Sequence, residues 1–161
     1  MEGHFVQWNE LALFNGELLL QTTAVTLRPA RLDEPAYLLT TLTWLAQNKP
    51  TIDYRVTLRL LDANGAVISQ RDNFPIGPLL PPSTWQAGDE KPGYLALPLP
   101  PALAKGDHLF AVALYEPTTL NLVSHRTGDE TPVTTMIPLA SVTVTHTLQI
   151  QPPMMRSASS N

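Results

Sequence analysis

The chain has 161 residues, 43% of them hydrophobic and only 15% charged, a balance that suits one folded domain and excludes a disordered polymer. A net charge of -4, with 10 Lys+Arg against 14 Asp+Glu, leaves no basic footprint for phosphate backbones, so no nucleic acid partner is expected. The absence of cysteine excludes disulfides, thiolate nucleophiles, Cys-ligated zinc and iron–sulfur clusters together.

The opening "MEGHFVQWNE" lacks the basic-then-apolar order of a signal peptide, and residues 1–9 read as a tail carrying Trp8. From residue 10, "ELALFN", "ELLLQ" and "AVTLRP" are three short strand candidates. "AYLLTTLTWLA" is apolar on both faces, which predicts a central strand covered on both sides with Trp44 in the core. "IDYRVTLRLLD" is the clearest strand: Ile52, Tyr54, Val56, Leu58 and Leu60 fall on one face, Asp53, Arg55, Thr57 and Arg59 on the other. "LDANGAVI" then places Asn64-Gly65 between apolar runs, a hairpin signal because both residues accept positive φ.

Residues 72–93 form a long crossing segment that includes "PPSTWQAGD", a Pro-rich loop with Trp85 inside it. "YLALPLP", with Tyr94 at its start, and "HLFAVALYE", with Phe110, Val112 and Leu114 inward and Tyr115 near its end, are later strands, followed by "TMIPLA". "SVTVTHTLQI" reads as one strand with Val142, Val144, His146, Leu148 and Ile150 on its apolar face. From residue 151, "QPPMMRSASSN" reads as a flexible tail. No segment carries an apolar i, i+3, i+4, i+7 stripe between a cap and a stop, so the fold class is all-β. Many short strands with a long crossing imply a two-sheet antiparallel β-sandwich over residues 10–150, immunoglobulin-like or jelly-roll-like. No apolar run approaches the ~20 residues that span a bilayer, and the chain as given is expected to be soluble.

Chemistry is thinly signalled. Ser124, His125 and Asp129 in "VSHRTGDE" invite a triad reading, but triads assemble from separate loops and no Gly-x-Ser-x-Gly elbow is present; a solvated turn explains the run. His4, His108, His125 and His146 form no HxH or HExxH pair, and "DANG" lacks the later ligands of a calcium loop. Asp33-Glu34, Asp89-Glu90 and Asp129-Glu130 would gather a calcium ion only if the fold joined two of them. No metal, no cofactor and no catalytic residue is therefore assigned. An indole among prolines is most simply a plug at one end of the sandwich, with a sugar-stacking platform or a protein contact as the other roles.

Taken in order, "ELALFNGELLL", "TLTWLAQNKPTIDYRVTLRLLDANGAVISQRD", "PSTWQAGD", "YLALPLPPALAKGDHLFAVALYEPTTLNLV" and "VTVTHTLQI" form a series. It resembles the β-sandwich domain that follows the membrane-embedded part of certain bacterial multi-pass glycosyltransferases, the family related to dolichyl-phosphate-mannose–protein mannosyltransferases. Trp44 matches that pattern's Trp-bearing strand; Tyr54, Leu60, Leu61, Asp62 and Gly65 match its hairpin. Ser83, Trp85, Gly88 and Asp89 match its Thr/Ser-x-Trp-x-x-Gly-Asp/Glu loop; Leu97, Pro98, Leu103, Gly106, Leu114 and Tyr115 match the next segment. Lys105, His108 and Glu116 depart from it, at turns rather than in the core. The resemblance implies an extracytoplasmic, non-catalytic module of the cell envelope, attached to a membrane only through a parent protein; the leading reading is an accessory module that contacts glycan or polysaccharide or positions the enzyme. Trp85, Tyr94, Tyr115 and Trp8 are the candidate stacking residues: two or more of them lining one groove or flat face would favour glycan binding, and all of them buried would favour the alternative, a structural spacer or protein-interaction domain.

Overall fold

In a computed structural model of the chain, residues 5–8, as backbone, and 12–153 are described. The strands are β1 (Phe5–Trp8), β2 (Ala12–Phe14), β3 (Leu18–Arg28), β4 (Tyr37–Ala46), β5 (Arg55–Leu61), β6 (Val67–Asn73), β7 (Glu90–Pro98), β8 (Gly106–Tyr115), β9 (His125–Arg126), β10 (Ile137–Val144) and β11 (Leu148–Gln151). One 3-10 turn, Pro82–Thr84, is the only helical element among the described residues. A six-stranded sheet runs β7-β4-β3-β2-β9 with β1 also on β3, and a five-stranded sheet runs β11-β10-β8-β5-β6. Pairing is antiparallel throughout. The chain changes sheet after β4, β6, β7, β8 and β9, and the β6-to-β7 change is the long crossing expected from the sequence. The fold is an all-β sandwich.

Alternation fills the space between the sheets. Phe14, Leu18, Leu20, Val25, Leu38, Leu42 and Trp44 of the six-stranded sheet meet Val56, Leu58, Leu60, Phe110, Val112 and Leu114 of the other in one apolar core. Phe14 and Trp44 pack edge to face, centroids 5.9 Å apart, the arrangement aromatic quadrupoles favour. Trp44 and Tyr54 are both fully buried, as the alternation predicts.

Four expectations are corrected. "ELLLQ" and "AVTLRP" are one strand, β3, because a bulge at Gln21 shifts the register between Leu20 and Thr22. The inward set therefore changes from Leu18 and Leu20 to Thr23, Val25 and Leu27, and a simple alternation breaks there. "SVTVTHTLQI" is conversely two strands, β10 and β11, joined by a turn closed by Thr145 N–H donating to the Thr147 carbonyl at 2.9 Å. That three-residue turn preserves even spacing, which hides it from a periodicity reading; His146 lies in it, exposed.

Strand β4 is central but covered on one face only. Leu38, Thr40, Leu42, Trp44 and Ala46 are buried, whereas Leu39 is exposed and Thr41, Thr43 and Leu45 are partly so. Finally, residues 5–8 are no tail, since β1 pairs with Thr23–Thr26 of β3. Strand β2 occupies only Leu18–Leu20 on that side, and the remaining backbone groups of β3 would otherwise form an open edge.

The Asn64-Gly65 hairpin forms with different turn chemistry. Gly65 has φ 85°, while Asn64 is not among the positive-φ residues. Gly65 N–H donates to the Asp62 carbonyl at 2.9 Å and Asp62 N–H to the Ala66 carbonyl at 2.9 Å, so three residues turn the chain and Gly65 alone takes the left-handed position. Asp62 Oδ1 accepts from the N–H groups of Asn64 and Ala66 at 2.8 and 2.9 Å, which holds the turn from inside. Gly65→Val should lower stability by about 1 kcal/mol or more, because a β-branched residue is forced left-handed; unchanged thermal unfolding would count against this turn.

Candidate functional site

The four aromatic candidates go to different places. Trp85 is fully buried, and its Nε1–H donates to the Leu80 carbonyl at 3.0 Å. Around it the loop is pinned by polar groups: Lys49 Nζ donates to the carbonyls of Ser83 and Trp85 at 2.8 and 2.9 Å, and Ser83 N–H donates to Asp53 Oδ1 at 2.8 Å. Backbone bonds Gly88 N–H to the Ala46 carbonyl, 2.7 Å, and Ala46 N–H to the Asp89 carbonyl, 2.8 Å, stitch the loop to the end of β4. Trp85 therefore offers no surface to a ligand: the plug expected from the sequence is what forms, and Trp85 is removed from the stacking candidates. Its indole closes the core while its one polar atom is satisfied.

Tyr115 ends β8 opposite Arg55, half-buried. Leu114 beside it points into the core, so Tyr115 stands on the outer face of the five-stranded sheet, where the Arg55 guanidinium lies 4.1 Å from the Phe74 ring centroid. Trp8 stands opposite Thr23 in register, but its side chain lies outside the described residues.

Tyr94 is the accessible aromatic. It is 73% exposed, on β7, projecting from the outer face of the six-stranded sheet. Register places Tyr94 opposite Thr41 and Thr41 opposite Ala24; one step along, Ala96 lies opposite Leu39 and Leu39 opposite Thr26. These six side chains share one face because residues paired across antiparallel strands point the same way. Small Ala and Thr residues make a flat floor, Tyr94 and Leu39 stand above it, and together they line a shallow cleft of about 460 Å³. The sequence signal for this surface was present in the threonines of "LLTTLTW", but the leucines among them read as a second buried face.

Among the described residues the remaining titratable groups do not form a reacting set. At the plugged end, the Tyr54 hydroxyl donates a short hydrogen bond to the Glu17 carboxylate. Thr51 donates to the same carboxylate through N–H and hydroxyl at 3.0 and 2.7 Å, and Asn15 Nδ2 donates to the Tyr54 oxygen at 2.8 Å. Burial pushes the Glu17 carboxyl up, and the hydrogen bonds from Tyr54 and Thr51 outweigh it and hold the group below its ordinary value. Burial, then the bond to Glu17, pushes the Tyr54 phenol far up. Both shifts favour an ionised carboxylate and a protonated phenol, and the pair ties the β2–β3 turn to the 47–54 loop.

His125 is buried on β9 against Phe14, with ring centroids 5.1 Å apart. Desolvation lowers its pKa, favouring the neutral imidazole, and no hydrogen bond among the described residues joins it to Ser124 or Asp129. A cleft of about 210 Å³ beside it is lined by Arg126, Thr127, Glu130 and Thr131 together with apolar Val133, Met136 and Ile137, and among these described residues no nucleophile is held by a base. Among the described residues no three His, Asp or Glu side chains group as metal ligands.

No family model matches the chain, and no curated protein does. Among solved structures, the crystal structure of the C-terminal domain of wzt is similar at a TM-score of 0.47 and 13% identity, covering 86% of this chain and 89% of that chain.

Proposed function

We propose that the chain is a non-catalytic β-sandwich module that binds glycan on the outer face of its six-stranded sheet, as the extracytoplasmic accessory domain of a cell-envelope glycosyltransferase. The observation that carries the binding reading is Tyr94, an aromatic side chain 73% exposed at a shallow cleft lined largely by alanine and threonine. Exposed aromatics are costly to hydrate, and a sugar ring presents a flat apolar C–H face that covers one well. Thr26 and Thr41 each bring a hydroxyl that donates and accepts, which suits sugar hydroxyls on either side of the stacked ring. The glycosyltransferase setting draws its support from the ordered motif series of residues 10–150.

Tyr94→Ala is the direct test. Retention on immobilised polysaccharide should be lost while stability stays within about 0.5 kcal/mol of wild type, because the ring is a surface group with little packing to lose. Retention unchanged by the substitution would overturn the assignment of this face.

A further inference from the structure

The chemistry of the Tyr94 face also selects among glycans, and this step rests on the binding reading above. We infer that the cleft takes uncharged glycan segments and rejects polyuronates and other acidic polymers. Its floor and rim include Ala24, Thr26, Leu39, Thr41, Tyr94 and Ala96, and among the described residues no charged side chain lines it.

The cation further along the face on β3 is already engaged. Arg28 lies two residues beyond Thr26 on β3, the same distance that separates neighbours on one face of a strand. Its Nη2 is paired with Glu34 Oε1 at 2.7 Å and its guanidinium lies 5.0 Å from the Tyr37 ring centroid. A carboxylate brought into the cleft would lose water and gain no cation, which is costly. The chain's net charge of -4 adds a long-range repulsion of the same sign. A neutral sugar suffers neither, and its hydroxyls find the two threonines.

The dimensions agree with a short stretch of polymer. The described side chains on β3, β4 and β7, strands ~4.8 Å apart, span about 10 Å, the reach of a disaccharide, and β1 continues the sheet beyond β3. Among the described residues the only large apolar side chains exposed on this face are Leu39 and Tyr94.

Affinity electrophoresis of the full chain separates the possibilities, using gels cast with neutral polymers (mannan, dextran, galactan) or polyuronates (alginate, polygalacturonate) in equal salt. The expected result is retardation by at least one neutral polymer, at least fivefold stronger than by either polyuronate, and abolished in Tyr94→Ala. Thr41→Lys, which places an ammonium in the floor, should raise retardation by polyuronate severalfold. Polyuronate retarding the wild type as strongly as any neutral polymer, with both effects lost in Tyr94→Ala, would overturn the selectivity and leave the site standing. No retardation by any polymer, or retardation indifferent to Tyr94→Ala, would overturn the site and the selectivity with it.

Discussion

Trp85→Ala is expected to cost the domain about 3–5 kcal/mol, the range for deleting a buried large aromatic. The indole is fully buried among core residues, and its removal leaves a cavity that the clamped loop is poorly able to fill. It also orphans the Leu80 carbonyl, now satisfied by Nε1–H at 3.0 Å. Denaturant unfolding gives the free energy, and limited proteolysis should cut first within residues 74–89, since local opening is set by the contacts that hold a segment down. Trp85→Phe should lose less, because most of the apolar volume remains. An alanine variant as stable as wild type would contradict the plug.

The second large effect is expected at Gly93, which the sequence did not single out. Gly93 is buried on β7, and a Cβ built on it would lie 2.0 Å from the Pro75 carbonyl oxygen and 3.2 Å from its carbon. The obstacle is backbone, so no side chain can swing aside; the crossing segment must lift off the strand or β7 must bend. Gly93→Ala should therefore cost about 3 kcal/mol, the upper part of the usual range for overpacking. Pro75 lies near the start of the same segment that Trp85 pins further on, so both variants should loosen it in common and combine non-additively. A Gly93→Ala protein with wild-type stability would mean that the crossing does not rest on β7 in this way.

These two positions show what a sequence reading reaches and what it misses. The Trp85 role was legible because an indole among prolines has few reasons to be there, and burial with a satisfied Nε1 is the plainest of them. Gly93 was not, because it stands between Pro92 and Tyr94 in an ordinary alternating strand; its need for hydrogen in place of a side chain arises from Pro75, eighteen residues away, and is visible only in space.

Strand boundaries divide in the same way. β5 was legible because its inward and outward residues differ sharply in polarity, as Leu58 and Arg59 do. The bulge at Gln21 and the turn around His146 act on alternation in opposite directions, one interrupting it within a strand and the other continuing it across two. Periodicity alone cannot distinguish either from its opposite. The Tyr94 face was half legible: the aromatic was noted, but its surroundings were not, because Thr-Leu alternation in β4 looks the same whether the second face is covered by protein or left open. The candidates also separate by sheet. Tyr115 belongs to the outer face of the five-stranded sheet and Tyr94 to that of the other, so they cannot grip one sugar together.

The measurement that bears most directly on the proposed function is a titration of isotope-labelled protein with a neutral oligosaccharide, followed by backbone amide shifts. The shifts should concentrate on residues 24, 26, 39, 41, 94 and 96 of β3, β4 and β7 and be absent in Tyr94→Ala. Shifts gathered instead around His125 and Arg126, around Tyr115, or nowhere on the protein would contradict glycan binding at this face.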